Sequence, residues 1–188
     1  MVENIIKKRR SIVCFDSKEV ENEILRKLFE MAKWAPSAFN RQPWRFIVGK
    51  NNSETYHKIF SALEQGNQIW AKNAPVLFTT IAETINHQRN TSNRYAWHDS
   101  ALAFANLTFM ATSLGLYVHP MAGFSSQSLI DGFKIPSGFE PVTVAALGYK
   151  SDCSNVPESV AERDSKERTR KSLSEFVFSD NWNSPFKF

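Results

Sequence analysis

The chain has 188 residues and a formal net charge of +4, with 42% hydrophobic and 22% charged residues. That length suits one domain, residues 1–188, large enough to bury most of its apolar surface. The balance argues against an intrinsically disordered chain, and so mild a positive charge does not by itself argue for nucleic acid.

Fifteen Phe and five Trp imply an aromatic-rich core, an interface or an aromatic-lined pocket. The positive charge sits near both ends. Lys7-Lys8-Arg9-Arg10 stands at one, and Arg163, Lys166, Arg168, Arg170 and Lys171 at the other. Cys14 and Cys153 have no CxxC partner and no histidine cluster at metal spacing, so they read as free thiols in a reducing cytosol. No apolar run of signal-peptide length occurs in residues 1–20. Ser100 to Val118 is uncharged and about long enough to span a bilayer, but it is interrupted by Ser, Asn, Thr and Gly and lacks a close basic flank. It reads as a helix buried in the core or in a subunit interface.

In chain order, Val2, Ile5, Ile6 and Arg9 keep helical spacing and predict a short opening helix that delivers Arg9-Arg10-Ser11. Ile12 to Phe15 is short and extended. Val20, Ile24, Leu25, Leu28, Phe29 and Ala32 form an amphipathic stripe, with Glu19, Glu21 and Glu23 complementing the dipole at its start. Pro36 ends this helix by disfavouring helical backbone at Ala35. Arg45 to Gly49 alternates as a strand. Asn51-Asn52-Ser53 turns the chain and caps a helix through Tyr56, Ile59, Phe60 and Leu63, which Gly66 stops. Asn67 to Asn73 is expected to be irregular. Pro75 to Ala82 is a continuous apolar strand, and Thr84 to Arg94 a mobile polar excursion. A long helix runs from about Trp97 to Leu114, with Gly115 at its C′ position. Leu116 to Val118 starts a strand, His119 to Phe124 forms a cornered loop, and Ser125 caps a helix through Phe133. Ile135-Pro136 and Gly138 turn into a second buried strand, Val142 to Gly148. The chain is then polar until Leu173 to Phe178, and Trp182, Phe186 and Phe188 end it. Strands separated by helices predict an α+β or α/β layer around a central sheet.

The stretch Trp34 to Trp44 is the most informative. Two prolines give it fixed corners, Asn40 and Gln42 carry amides that donate and accept, and two tryptophans bracket it. Such a loop suits a flat heterocycle with polar edges. Read alone, it serves equally as a tight helix-to-strand connection whose amides satisfy local backbone. The common catalytic signatures are missing: no GxGxxG after a strand, no Walker loop, no HExxH and no nucleophile elbow. A Ser37-His98-Asp99 triad lacks motif support, because adjacent His and Asp rarely adopt triad geometry. The four histidines include no pair at metal spacing, and no metal is expected. Three scattered sets remain: Arg9, Arg10 and Ser11; Pro36 to Gln42; and Pro120 to Phe124 joined by Arg168 and Arg170. Arginines and a hydroxyl suit a phosphate dianion, amides suit a polar ring edge, and Gly123 permits close backbone approach to a ring. Each arginine set also reads as a solvated helix face.

Taken together, these segments resemble the nitroreductase family of FMN flavoproteins in its short form. The carriers are Arg9-Arg10-Ser11-Ile12 to Phe15, Ala35 to Trp44, Gly66-Asn67-Gln68-Ile69-Trp70 with Ala74-Pro75, Leu114-Gly115-Leu116 with His119 to Phe124, and Arg168 to Val177. Their order holds along essentially the whole chain. The resemblance implies an α+β nitroreductase-like fold, with a central mostly antiparallel sheet flanked by helices. It implies a homodimer with two interfacial FMN sites and the long helix buried between subunits. Arg9, Arg10 and Ser11, with Arg168 and Arg170, should then hold the phosphate or ribityl end. Pro36, Ser37, Ala38 and Asn40, with Gln42 nearby, should line the cofactor of the partner chain. Asn67 should reach the ribityl chain or ring edge. Pro120, Met121, Ala122 and Gly123 should lie along one ring face, with a backbone N–H near Gly123 addressing N5. Phe39, Phe124 and the Thr84–Arg94 excursion should shape the pocket.

The activity implied is a cytoplasmic, FMN-dependent NAD(P)H oxidoreductase. NADH or NADPH passes hydride to N5 and leaves, and a nitroaromatic, quinone or activated alkene takes its place in the same pocket. No side chain need act as nucleophile or metal ligand, since the flavin carries the chemistry. Neither nucleic acid nor membrane is an expected partner. One departure matters: Val13 stands where the family commonly places a basic residue near the O2/N1 edge, a charge that favours the reduced flavin. Arg41 and Lys72 are candidate substitutes. The departure gives weight to a non-catalytic flavin carrier or redox-responsive regulator. A nucleic-acid binder without flavin is a third possibility, recognisable by salt-sensitive affinity.

Overall fold

Two apolar strands divide the protein into two cores. The structure is a computed structural model, and residues 1–86 and 91–188 are described. In chain order the elements are α1 (Val2–Lys8), α2 (Asn22–Ala32), a 3-10 turn (Ala38–Asn40), β1 (Trp44–Lys50), α3 (Glu54–Ser61), α4 (Gln65–Ala71), β2 (Val76–Glu83), β3 (Ile85–Asn86) and β4 (Thr91–Ser92). There follow α5 (Ala96–Ser113), β5 (Tyr117–Met121), α6 (Ser126–Phe133), β6 (Phe139–Gly148), α7 (Glu158–Ser165) and a second 3-10 turn (Leu173–Glu175). The sheet order is β1-β2-β6-β5, and β3 pairs with β4 separately. Every neighbouring pair of strands is antiparallel.

Successive side chains on a strand point to opposite faces. On β2, Leu77 faces one core and Val76 and Phe78 the other; on β6, Val144 and Ala146 oppose Ala145 and Leu147. The first core is closed by α3, α4, α6 and the extended segment Ile12–Phe15. The second is closed by Leu25, Leu28 and Ala32 of α2 and Ala103, Leu107 and Ala111 of α5. Both middle strands are thereby covered on two sides, which is why they read as unbroken apolar runs. The fold is α+β, an antiparallel sheet flanked by helices, as the resemblance implies.

Local signals hold at several ends. Ser53 Oγ accepts the Tyr56 N–H and Ser125 Oγ the Ser128 N–H, capping α3 and α6. Gly115 follows α5 with φ +78°, the left-handed backbone that glycine adopts without steric cost. Among the described residues no helix is long and apolar enough to cross a membrane.

Two local expectations fail, and two further stretches gain detail. Gly66 does not stop a helix: α3 ends at Ser61, and Gly66 lies in the first turn of α4, so Asn67 to Ala71 is helical. Tertiary packing overrides the glycine, because this turn docks on the Gly123 carbonyl and buries Trp70 completely. His119, Pro120 and Met121 belong to β5, leaving Ala122 to Phe124 as the loop. Pro120 is tolerated because β5 is an edge strand. The polar stretch after Tyr149 contains α7, whose single buried residue is Asp164. In the stretch Thr84–Arg94, β3 and β4 pair, and Asn93 is buried with its side-chain amide donating to the Glu83 carbonyl. The expected excursion is tied down at both ends, and its residues 87–90 lie outside the described residues.

Candidate flavin site

Arg9 is the C-cap of α1, with extended backbone (φ −50°, ψ 126°) that turns the chain out of the helix. The segment behind it is clamped by residues from far along the chain. The Asp164 carboxylate, 8% exposed, accepts the Val13 N–H at 2.9 Å and the Cys14 N–H at 3.2 Å. His119 Nδ1 donates to the Ile12 carbonyl at 2.6 Å, which fixes the proton on that nitrogen, and the ring stacks on Trp70 at 4.4 Å between centroids. Burial, more than any other influence, lowers the His119 pKa below its ordinary value. The Asn155 amide donates to the Phe15 carbonyl at 3.0 Å, and a disulfide joins Cys14 to Cys153.

The two arginine sets grip each other's backbone. Arg168 donates to the Arg9 carbonyl at 2.6 Å and to the Lys7 carbonyl at 2.7 Å. Arg10 donates to the Lys166 carbonyl at 2.7 Å and the Arg163 carbonyl at 3.4 Å. Arg9 reaches Ser11 Oγ at 3.4 Å. Burial, then the charges of Arg168 and Arg170, pull the Arg9 pKa below its ordinary value. Guanidiniums from the two ends of the sequence therefore converge closely enough to repel. Among the described residues none of Arg9, Arg168 and Arg170 is ion-paired to a carboxylate. A phosphate dianion would relieve that repulsion and take charge-assisted bonds from the same groups, so the donor set fits the phosphate end of FMN.

The second set forms where α4 meets the turn after β5. Asn67 Nδ2 donates to the Gly123 carbonyl at 3.0 Å, and the Glu64 N–H donates to the same oxygen at 3.0 Å. A Cβ on Gly123 would stand 2.7 Å from Glu64 Oε2 and 2.9 Å from Asn67 Nδ2, so a side chain there would displace the ends of both side chains. The Gly123 N–H has no partner among the described residues and remains a donor. Met121 lies in the first core, 3% exposed, and Phe124 packs against it, whereas Pro120 and Ala122 are exposed.

The third set is the loop after α2. Phe39, Asn40 and Gln42 all adopt positive φ, between 50° and 56°. Asn and Gln amides stabilise this backbone locally: the Gln42 N–H donates to Ser37 Oγ at 3.0 Å, and Gln42 Nε2 to Asn40 Oδ1 at 3.1 Å. The loop is anchored by the Ala38 N–H, which donates to Asp99 at 2.9 Å. Pro36, Asn40 and Gln42 are exposed, Ser37 and Ala38 are half-buried, and Phe39 is 87% exposed with Arg41 over its ring. No described hydrogen bond joins this loop to the other two sets.

Three expectations change. Cys14 and Cys153 are not free thiols; they bond across a separation of 139 residues that no spacing rule reads. The inference of a reducing compartment loses its basis. His98 and Asp99 do meet, Nδ1 to Oδ1 at 2.9 Å, contrary to the expectation for neighbours. Ser37 Oγ, however, accepts from the Gln42 N–H, and the second Asp99 oxygen holds the loop, so the contact serves the loop's anchorage. Val13 is 1% exposed within the first core, so an arginine placed there would bury its charge among apolar side chains. Asp99, Asp164 and His119 hold the sets in place. Sequence reasoning passed over Asp164, because an acidic residue in a polar stretch reads as surface, and met Asp99 only in a triad and His119 only as part of a loop.

An antiparallel sheet lies between two helical layers, and guanidiniums from both ends of the sequence converge. A sequence profile described as the nitroreductase family matches residues 6–68 and 50–149, and the chain belongs to that family. It is 36% identical over 149 residues to a Mycolicibacterium smegmatis protein called "Uncharacterized 15.4 kDa protein in ask 5'region", covering 75% of this chain and 99% of that one. It is 30% identical over 151 residues to a Methanothermobacter thermautotrophicus protein called "Putative NADH dehydrogenase/NAD(P)H nitroreductase", covering 78% of this chain and 76% of that one. A solved structure described as an oxidoreductase containing FMN superposes with a TM-score of 0.90 at 32% identity, over 96% of this chain and 92% of that one.

Proposed function

We propose that this chain is a flavin oxidoreductase: an FMN-dependent NAD(P)H oxidoreductase of the nitroreductase type, working as a homodimer of single domains spanning residues 1–188. The observation that carries this reading is the convergence of Arg9, Arg168 and Arg170 without an anionic partner among the described residues. Family membership and the similarity to an oxidoreductase containing FMN support it. The name of the Methanothermobacter relative supports a nicotinamide donor.

In this reading Arg9, Arg168 and Arg170, with the Ser11 hydroxyl, neutralise and orient the phosphate. Arg10 and Arg168, each donating to backbone carbonyls of the other arm, also hold the two arms together. The Gly123 N–H would be the donor to the flavin ring, and Asn67 holds that peptide in place through the Gly123 carbonyl. FMN held there would supply hydride-transfer chemistry between NADH or NADPH and a nitroaromatic, quinone or activated alkene. Both substrates use one pocket in a ping-pong sequence, with protons drawn from water. The exposed Asn40 and Gln42 amides serve the partner chain's cofactor, since their own loop makes no described bond to the arginine set.

A second reading, a flavin carrier or redox-responsive regulator, is favoured by the burial of Val13, which leaves that position without a cation. The purified protein's absorption spectrum, followed by anaerobic addition of NADH and NADPH, separates the readings. A yellow protein bleached by a nicotinamide is expected. A colourless protein that cannot be reconstituted with FMN overturns the flavoprotein reading, and a yellow one that neither donor bleaches selects the carrier.

A further inference from the structure

We propose that the Cys14–Cys153 disulfide is a redox latch on the phosphate cradle, opened by a dithiol reductant to lower FMN retention. The inference rests on the flavoprotein reading above and adds a control to the same site.

The placement carries it. Cys14 is three residues beyond Ser11 and Cys153 opens the segment that leads through α7 to Arg168 and Arg170, and their bond closes a separation of 139 residues. Between β6 and Arg168 the chain belongs to no sheet. It is attached to the N-terminal segment by the isolated bridge Phe15–Lys150, by Asn155 and Asp164, and by the arginine contacts with backbone carbonyls. α7 buries one residue only, Asp164. The chain has two cysteines, so apart from the main chain their disulfide is the covalent tie between the two arms of the cradle. Cutting it returns conformational freedom to the tail arm, which is then held by the two Asp164 bonds, by the half-buried Val156, Val160 and Ala161 against the first core, and by exposed arginine contacts.

Access to the two sulfurs is unequal. Cys14 is fully buried and Cys153 is half-buried. A reductant thiolate therefore attacks Cys153 Sγ, breaking the S–S bond, and Cys14 Sγ leaves with the electron pair and takes up a proton. The reductant's second thiol then attacks the mixed disulfide and releases Cys153. Two electrons pass from the dithiol to the protein, which ends as two thiols while the reductant ends as a disulfide. The Asp164 carboxylate lies with both sulfurs inside a span of 4.8 Å, and its negative charge disfavours the departing thiolate. Asp164 thus resists opening and also holds the Val13 and Cys14 N–H groups in the closed form.

The test uses the full chain loaded with FMN, in the dark and without air. Thiols are counted in denaturant, and the dissociation constants of FMN and riboflavin are measured before and after treatment with dithiothreitol. The expected result is no thiol before and two after, with FMN binding weakened about tenfold, the loss of roughly one charge-assisted phosphate contact. Riboflavin, which lacks the phosphate, should shift little, and reoxidation should restore FMN affinity. Cys153→Ser should match the reduced protein in both conditions, with an unchanged circular dichroism spectrum as its folding check; wild type alone suffices if that variant does not fold. Equal FMN affinity in both states overturns the latch, as do two free thiols in the protein purified in air, or an equal loss for FMN and riboflavin. FMN bound by neither state overturns the flavoprotein reading and the latch with it.

Discussion

The arginine cradle and the Pro36–Gln42 loop are both walls expected of one cofactor site, yet they are held by opposite means. The cradle is assembled from residues about as far apart as the chain allows: Arg168 meets the Arg9 backbone across a separation of 159. Its contacts are reciprocal, each guanidinium set holding the other's carbonyls. The loop satisfies itself within a few residues, through Ser37, Asn40, Gln42 and the start of β1 at Arg45, and its long-range bond among the described residues is to Asp99. In the proposed dimer, local bonding would suit a wall that serves a second chain, since its shape would not depend on the cofactor held by its own cradle. Long-range bonding suits a cradle whose like charges must be forced together.

That contrast can be broken or sharpened by three measurements. The largest expected effect comes from Arg168→Ala, which removes a proposed phosphate donor and frees the Arg9 and Lys7 carbonyls. FMN should bind about ten- to a hundredfold more weakly, from bonds to charged groups worth about 1.5–3 kcal/mol each. Arg168→Lys should recover only part, because an ammonium cannot bridge two carbonyls with the same fork. Unchanged FMN affinity in Arg168→Ala, measured by fluorescence titration, would remove the tail from the site. Next is Asp99→Ala, which leaves the Ala38 N–H without its acceptor. Denaturant unfolding should show a loss of about 1–2 kcal/mol for a half-buried donor left unpaired. An unshifted midpoint would show that the loop stands without its anchor.

The smallest is a pH effect on the cradle side. His119 has its folded pKa below the unfolded value because it is buried. The unfolded chain therefore binds the extra proton first, and stability is intact above the ordinary histidine range. It should fall as pH drops through that range toward the lowered folded value, at up to about 1.4 kcal/mol per pH unit. His119→Gln should flatten this slope; an identical pH profile for the variant would assign the loss to other groups.

Much of the architecture was legible because it rests on local rules. The α2 stripe, the two unbroken apolar strands, the Ser53 and Ser125 caps and Gly115 all appear where periodicity and capping chemistry put them. The failures share one cause. Gly66 should break a helix on intrinsic preference, but docking against Gly123 and burial of Trp70 outweigh that cost of about 1 kcal/mol. Pro120 should mark a loop, but on an edge strand its missing donor costs little.

The site divides in the same way. Its residue types were readable: guanidiniums for a phosphate, amides for a ring edge, glycine for close approach. The sequence by itself determined that those groups were present, that the strands were apolar enough to be covered on both faces, and that the segments matched one family in order. Only the tertiary structure decided which groups meet. Asp164 turns inward onto two backbone N–H groups, Asp99 anchors a loop, Val13 faces the core and Cys14 finds Cys153. Periodicity reports which face of an element is buried, but pairings across more than a hundred residues follow from how the layers close, and no spacing rule encodes that.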